Sequence, residues 1–415
     1  MLIIGLVMGV TASSCYLVPE LGVYFSKLRP MHVSGIIFWI LPAASGCVYY
    51  GLEMGFGVKP SRLLSIAHGT LWVIAIVGIY ASYLCGDFGG REYWEFNPVW
   101  AFPIALGWLM FLIHLIKSIA RIPKWPVYIW MWLTGGLFFL FSFAESYLWL
   151  FPYFREHIVT DITIQWKSNG SLVGAWNQLI YGTAFFLMSR INDGGFDQRS
   201  PLAFGMYFLG LFNLMFNWGH HIYTLPTAPY IRYTGYMVSM TEWVFFIKII
   251  YHWKRNVAEA QRNFHYLPYR FLIASDIWVF LNLGQAILMS IPALNLYTHG
   301  THITVAHAMG TTIGINTMIL LAACFEFWGA SIKPNKWLAV AFWATQAALL
   351  AFWVSLNLAG LIKGMWQMSH PQTTFTDMMN SLRPFFMIFI TSGIALASLL
   401  LYWAGKLLSL KKKRI

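Results

Sequence analysis

Charge is scarce in this chain. Only 10% of its 415 residues are Asp, Glu, Lys or Arg, against 58% that are hydrophobic, and the mean hydropathy is +0.60. A water-soluble globule has too little room inside for that much apolar surface, so a soluble fold is excluded and a polytopic membrane protein expected. Acids are the scarcer charge, 15 Asp+Glu against 27 Lys+Arg, which gives a pI near 9.5. Cysteine is almost missing too. Cys15, Cys47, Cys85 and Cys324 are scattered singly, with no CxxC and no CxxCH. That spacing signals neither a cysteine zinc site nor covalent haem attachment, and each cysteine reads as a small apolar residue. The first apolar run has no basic stretch ahead of it, so it reads as a helix that stays and not as a cleaved signal.

Long apolar runs, by contrast, fill the chain. They fall near 1–18, 31–52, 63–85, 98–117, 126–150, 170–190, 201–223, 229–250, 270–292, 301–328, 335–359 and 384–406. Each is about the length needed to cross the hydrocarbon core as a helix. The expected fold is all-α, a single transmembrane domain over 1–415 of about twelve helices. Twelve crossings put both termini on one side, and that side carries 19 of the 27 Lys+Arg. The bias of Lys and Arg toward the cytoplasm then places both termini there. The basic tail Lys411-Lys-Lys-Arg414 reads as a topology anchor at anionic lipid, so the partner implied by the positive charge is the bilayer and not nucleic acid. The abundant Trp (21), Tyr (21) and Phe (33) suit interfacial belts and packing around a large planar cofactor.

One stretch organises the candidate chemistry: His299-Gly-Thr-His-Ile-Thr-Val-Ala-His307-Ala-Met309-Gly-Thr-Thr-Ile-Gly-Ile-Asn316. His307 and Met309 are both potential haem ligands. Residues two apart on an α-helix point about 200° from each other, so one helix can present a haem on each of two flanks. His32, at the outer end of the second run, can complete a six-coordinate low-spin haem with Met309. His307 then holds a second haem whose other side stays open. The adjacent imidazoles of His220 and His221, in Trp218-Gly-His-His221, suit a second, non-haem metal. All of these fall near the outer end of their spans, and buried ionisable groups in a bilayer are usually functional. Arg91, in Gly89-Gly-Arg-Glu-Tyr-Trp-Glu-Phe-Asn97, is placed to pair with haem propionates. Glu92 and Glu95 beside it can hold Ca²⁺ or pass protons. Glu242 inside the eighth run suits a proton relay, and Glu145 is a second buried acid without an assigned partner. His68 and His114 read as packing residues, His302 carries no ligand role, and Gly364-Met-Trp-Gln-Met-Ser-His370 reads as an ordered outer loop.

Taken together these motifs resemble the large, cytochrome b subunit of nitric oxide reductase, the cytochrome c-dependent branch of the haem–copper oxidase superfamily. The resemblance covers almost the whole chain and keeps the motif order. It rests on His32 after an Arg, on Gly90-Arg-Glu-Tyr-Trp-Glu95, on Gly219-His-His221, on Tyr297-Thr-His-Gly-Thr301 through His307, and on Leu382-Arg-Pro-Phe385. It implies a twelve-helix bundle of the haem–copper oxidase subunit I type with two haem b groups, one low-spin and one high-spin. It further implies that Arg91 meets propionates, that Glu92 binds Ca²⁺, and that Glu95 and Glu242 serve the proton path. The implied partner is a membrane-anchored c-type cytochrome on the outer side, since no amino-terminal extension for quinol-derived electrons is present. The implied reaction couples two NO to N₂O.

Three positions depart from the family pattern. The second histidine of its HxH pair is Met309, its third non-haem-metal histidine is Asn169, and its ligating glutamate one turn on is Val173. A carboxamide is a weak ligand and Val is none, so the second metal, non-haem iron or copper, is held loosely or lost. That leaves dismutation of NO or other nitrogen-oxide chemistry open, and equally a non-catalytic electron-transfer or gas-binding subunit without the second metal.

Overall fold

The computed structural model describes residues 1–193, 197–241, 243–328, 332–369 and 372–410, apart from the side chains of 243–246. Glu242 and His370 therefore lie outside the described residues. In chain order the α-helices are α1 (Leu2–Ser14), α2 (Phe25–Phe56), α3 (Arg62–Leu84), α4 (Ala101–Ile119), α5 (Val127–Glu145), α6 (Pro152–Arg155) and α7 (Ile158–Ile191). They continue as α8 (Pro201–Phe216), α9 (Pro229–Ser239), α10 (Trp243–Asn256), α11 (Glu259–Phe264), α12 (Tyr266–Ser290) and α13 (Pro292–Thr298). The last five are α14 (His302–Met309), α15 (Met318–Trp328), α16 (Lys336–Ser369), α17 (Phe375–Ser381) and α18 (Arg383–Leu408).

All twelve expected runs are helical where they are described. Nine helices among the described residues are long and apolar enough to cross a membrane. The other three runs differ for visible reasons. The first, α1, has only 13 residues. The sixth lies in α7, which carries Asp161, Gln165, Lys167, Asn169, Asn177 and Gln178 along its 34 residues. The eighth is divided between α9, which ends at Ser239, and α10, which starts at Trp243.

The chain forms two compact units, Met1–Ile36 with Glu259–Ile415, and Ile37–Ala258. In the first, α16 packs along α18 and against α14, and α12 packs along α15. Its core includes Ala306, Leu356, Ala359, Leu382 and Phe386, so one face of α14 is closed by α16 and α18. In the second unit α5 packs along α7 and α3 along α4, around the buried rings of Trp108, Phe111, Trp132 and Phe139. Lipid is as apolar as these side chains, so dispersion and interhelical hydrogen bonds hold such helices together, the latter averaging about 0.6 kcal/mol each. Trp108 Nε1 donates to Gly136 O at 2.9 Å in the second unit, and Trp403 Nε1 to Thr345 Oγ1 at 3.0 Å in the first.

Two helices are longer than the runs that announce them. α7 starts at Ile158, so Trp166 and Asn169 lie inside a helix and not before one. α16 continues to Ser369, which corrects the expected loop at Gly364–Ser369 into helix.

Candidate active site

In the first unit, α14 begins at the Thr301 cap, whose side chain accepts from Ile303 N. His307 and Met309 stand on its last turn. The helix then changes register: Gly310–Thr317 is π-helical before α15 resumes. Short π segments inside α-helices are frequent at functional sites. Here the side chains take part in the change. Thr311 and Thr312 hydroxyls return to the carbonyls of His307 and Ala308, and Thr317 Oγ1 reaches five residues back to Thr312 O at 2.8 Å. Gly314 lies so close to Trp278 of α12 that a Cβ there would sit 2.6 Å from the indole.

In the most apolar stretch of His302–Trp328, 72% is buried, the highest share for any spanning helix described. Within it, His307 and Met309 are only partly covered, and so is His32 on α2. Side chains of that chemistry, left half open on helices with otherwise filled surroundings, fit a large planar ligand. The two imidazoles are also prepared differently. His32 Nδ1 donates to Gly5 O of α1 at 2.7 Å, which leaves Nε2 with the free lone pair. His307 Nδ1 is buried with no well-formed hydrogen bond. Asn316, within the π segment, is fully buried and neither its Oδ1 nor its Nδ2 is hydrogen-bonded. His302 is held by rings, edge-on to Tyr16 at 5.5 Å and to Phe386 at 5.2 Å, and its Nε2 is buried without a hydrogen bond.

In the second unit, His220 and His221 do not stand on an α-helix end. Asn217–Ile222 is a 3₁₀ turn, and the two rings lie side by side with centroids 4.1 Å apart. Asn217 Oδ1 accepts from both Ser239 Oγ (2.5 Å) and His220 Nδ1 (2.9 Å), which again puts the ring's lone pair on Nε2. Such an outer partner is what fixes a ligating imidazole. Trp166 of α7 stacks flat on His221 with centroids 4.9 Å apart. One turn further, a Cβ at Gly170 would lie 2.7 Å from Trp218 Cβ. The turn of α7 that holds Asn169 therefore lies along Trp218–His221. Asn169 is 1% exposed, and neither atom of its carboxamide has a hydrogen bond. Among the described residues no group of three or more His, Cys, Asp or Glu side chains is arranged to hold a metal.

The Arg91 loop is a tight one. Gly89 and Gly90 N–H both donate to Glu95 O, Trp94 N donates to Arg91 O at 2.8 Å, and Tyr93 takes φ 74°. A non-glycine residue in that region is uncommon and strained, and such strain gathers at functional loops. Arg91 Nη1 donates to Asp161 Oδ2 at 2.7 Å, and its guanidinium lies over Trp149 at 5.1 Å. Glu92 O accepts from Gln165 Nε2 at 3.3 Å, while Glu95 is half-buried. Glu145 does have a partner, Lys167, two residues before Asn169 on α7. His68 meets Tyr49 Oη, and His114 meets Ser61 N and Ser118 Oγ.

Sequence reading missed Gly5, Asn217, Asp161 and Lys167. Only Asn217 left a signal, three residues before His220 and so on the same turn; the others meet their partners across 22 to 70 residues of chain.

Comparison with known proteins agrees with this architecture. A cytochrome c oxidase subunit 1 from Rhodobacter capsulatus is 22% identical over 379 residues, covering 83% of this chain and 68% of its own. A nitric oxide reductase subunit from Stutzerimonas stutzeri is also 22% identical over 379 residues, covering 80% and 76%. A haem–copper terminal oxidase dimer solved by cryo-EM shares the fold, with a TM-score of 0.75 at 13% identity over 98% of this chain and 81% of that one. The family model described as cytochrome c and quinol oxidase polypeptide I matches residues 1–395. The chain belongs to that family and is a multi-pass membrane protein of the haem–copper oxidase subunit I type.

Proposed function

We propose that this chain is the haem-carrying subunit of a nitric oxide reductase-like oxidoreductase in a bacterial or archaeal cytoplasmic membrane, fed with electrons by an outer-side c-type cytochrome subunit. His32 and Met309 would hold a low-spin haem b and His307 a high-spin one, groups that would supply one-electron transfer and binding of a small gas. His220, His221 and the weak donor Asn169 are the ligands available to a non-haem iron or copper. Arg91, with donors beyond the one given to Asp161, serves propionates, and Glu92 serves Ca²⁺. Glu95 and Glu242 carry protons to a reaction that joins two NO, two electrons and two protons into N₂O and water.

The observation that carries this reading is Asn169. A buried carboxamide without hydrogen bonds costs about 1–3 kcal/mol per unsatisfied group. Such a group is retained where a bound ion or molecule takes its lone pairs, and this one lies along the turn that presents His220 and His221. A nitric oxide reductase subunit and a cytochrome c oxidase subunit are equally similar to this chain, so the choice of NO as substrate rests on the motifs and not on the degree of relatedness.

The test is the purified complex with its cytochrome partner. Two b haems, one of them shifted by CO, a further stoichiometric metal, and N₂O formed from NO would support the reading. Haems without a further metal and without NO consumption would replace it by the second one, an electron-transfer or gas-binding subunit. What favours that second reading is the missing third His, Cys, Asp or Glu beside His220 and His221 among the described residues. A colourless preparation would end both.

A further inference from the structure

The short first helix stands outside every motif that points to chemistry, yet it touches His32 in two places. Gly5 O accepts from His32 Nδ1 at 2.7 Å. One helical turn on, the imidazole lies directly over Gly9, where a Cβ would fall 2.5 Å from Nδ1 and 2.6 Å from Cε1. The two contacts are one device. Every Cα–Cβ bond of a helix tilts toward its N-terminus, so the side chain of residue 9 leans over the carbonyl of residue 5. Glycine at position 9 bares that carbonyl, whose second lone pair is left over from the helical hydrogen bond. The ring can then lie flat on the helix and reach it.

We infer that α1 is the positioning element for the His32 ligand: Gly5 O sets the tautomer that leaves Nε2 for iron, and Gly9 sets the place of the ring. This rests on the reading of His32 as a haem ligand. Gly5 itself has little room to be replaced, since a Cβ there would lie 3.0 Å from Ile36 Cδ1 and 3.2 Å from Gly35 C. The testable position is Gly9.

The experiment uses the full complex carrying Gly9→Ala or Gly9→Val. The ferric low-spin resonance and the reduced low-spin band are read, and the CO-binding spectrum of the His307 haem reports that the protein has folded. Loss of an outer-shell partner weakens a ligated group by about 10–100-fold, and a drop of that order in retention of the low-spin haem is expected for Gly9→Val, with a smaller one for Gly9→Ala. Free imidazole, not tied to the backbone, should restore the low-spin signal in His32→Gly with Gly9→Val as well as in His32→Gly alone. A merely structural defect would not be rescued in this way. An unchanged low-spin signal in both Gly9 variants, while His32→Gly loses it, overturns the inference alone. An unchanged signal in His32→Gly overturns the ligand reading beneath it. If Gly9→Val does not accumulate, Gly9→Ala decides by the same signal.

Discussion

Three of the ligand candidates carry lone pairs of different strength, and each position predicts its own change. His307 is the imidazole on the last turn of α14 and is only partly covered. His307→Ala should abolish the CO-shifted spectrum and leave the low-spin bands in place; optical titration with CO decides it. Met309 is a thioether where the resembled family has imidazole, and Met raises a haem potential relative to bis-His. Met309→His should therefore lower the midpoint potential of the low-spin haem, read by redox titration, and an unchanged potential would remove Met309 from the ligand set. At Asn169, Asn169→Ala should leave both haem spectra close to unchanged, whereas Asn169→His, a stronger donor, should hold the non-haem metal against a chelator better than the parent chain does, read by elemental analysis. His307 stood out because an imidazole in an apolar run is conspicuous by itself, whereas Met309, one of 19 methionines, and Asn169 stood out only against the family pattern. Asp161 did not, because nothing in its own surroundings says that Arg91, 70 residues earlier, will come to it.

The spanning helices were legible at the scale of elements, since twenty apolar residues in a bilayer have few alternatives to a helix that satisfies its own backbone. Their irregularities were not. The π segment Gly310–Thr317 depends on threonine hydroxyls that compete for backbone carbonyls and on the indole of Trp278, which is held to Gln346 of α16 at 3.0 Å. Gly314→Val would drive a side chain into that indole, and overpacking of this kind costs about 1–3 kcal/mol. The expected outcome is a lower thermal midpoint together with a shifted CO spectrum at His307, because the π register follows directly on its turn. A stability loss with an unaltered CO spectrum would show that the π segment does not set the His307 ring. The extra turns of α7 and α16 escaped for a different reason. Their ends are too polar to read as membrane helix, and they are ordered by contacts such as Lys167–Glu145 and Lys363 Nζ on Gly300 O.

The distribution of charge over the whole molecule makes a prediction of its own. With 27 Lys+Arg against 15 Asp+Glu, most of the bases fall on the side of the termini, and cytoplasmic Lys and Arg fix the orientation of membrane chains. Reporter fusions at Leu410 and in the Arg91 loop should report opposite sides, cytoplasmic for the first and external for the second. Both on one side would overturn the twelve-crossing topology.

Composition and hydrophobic run length alone determined that this chain crosses a membrane many times as helices, because a bilayer leaves a backbone almost no other choice. Motif order alone pointed to its superfamily. What tertiary structure decided is how each candidate ligand is presented: His32 by a carbonyl of α1, His220 by Asn217, Asn169 by the stacking of Trp166 on His221. Those are contacts across space between residues of ordinary type, and a hydrogen bond or a missing Cβ has meaning only once its partner has been brought within about 3 Å.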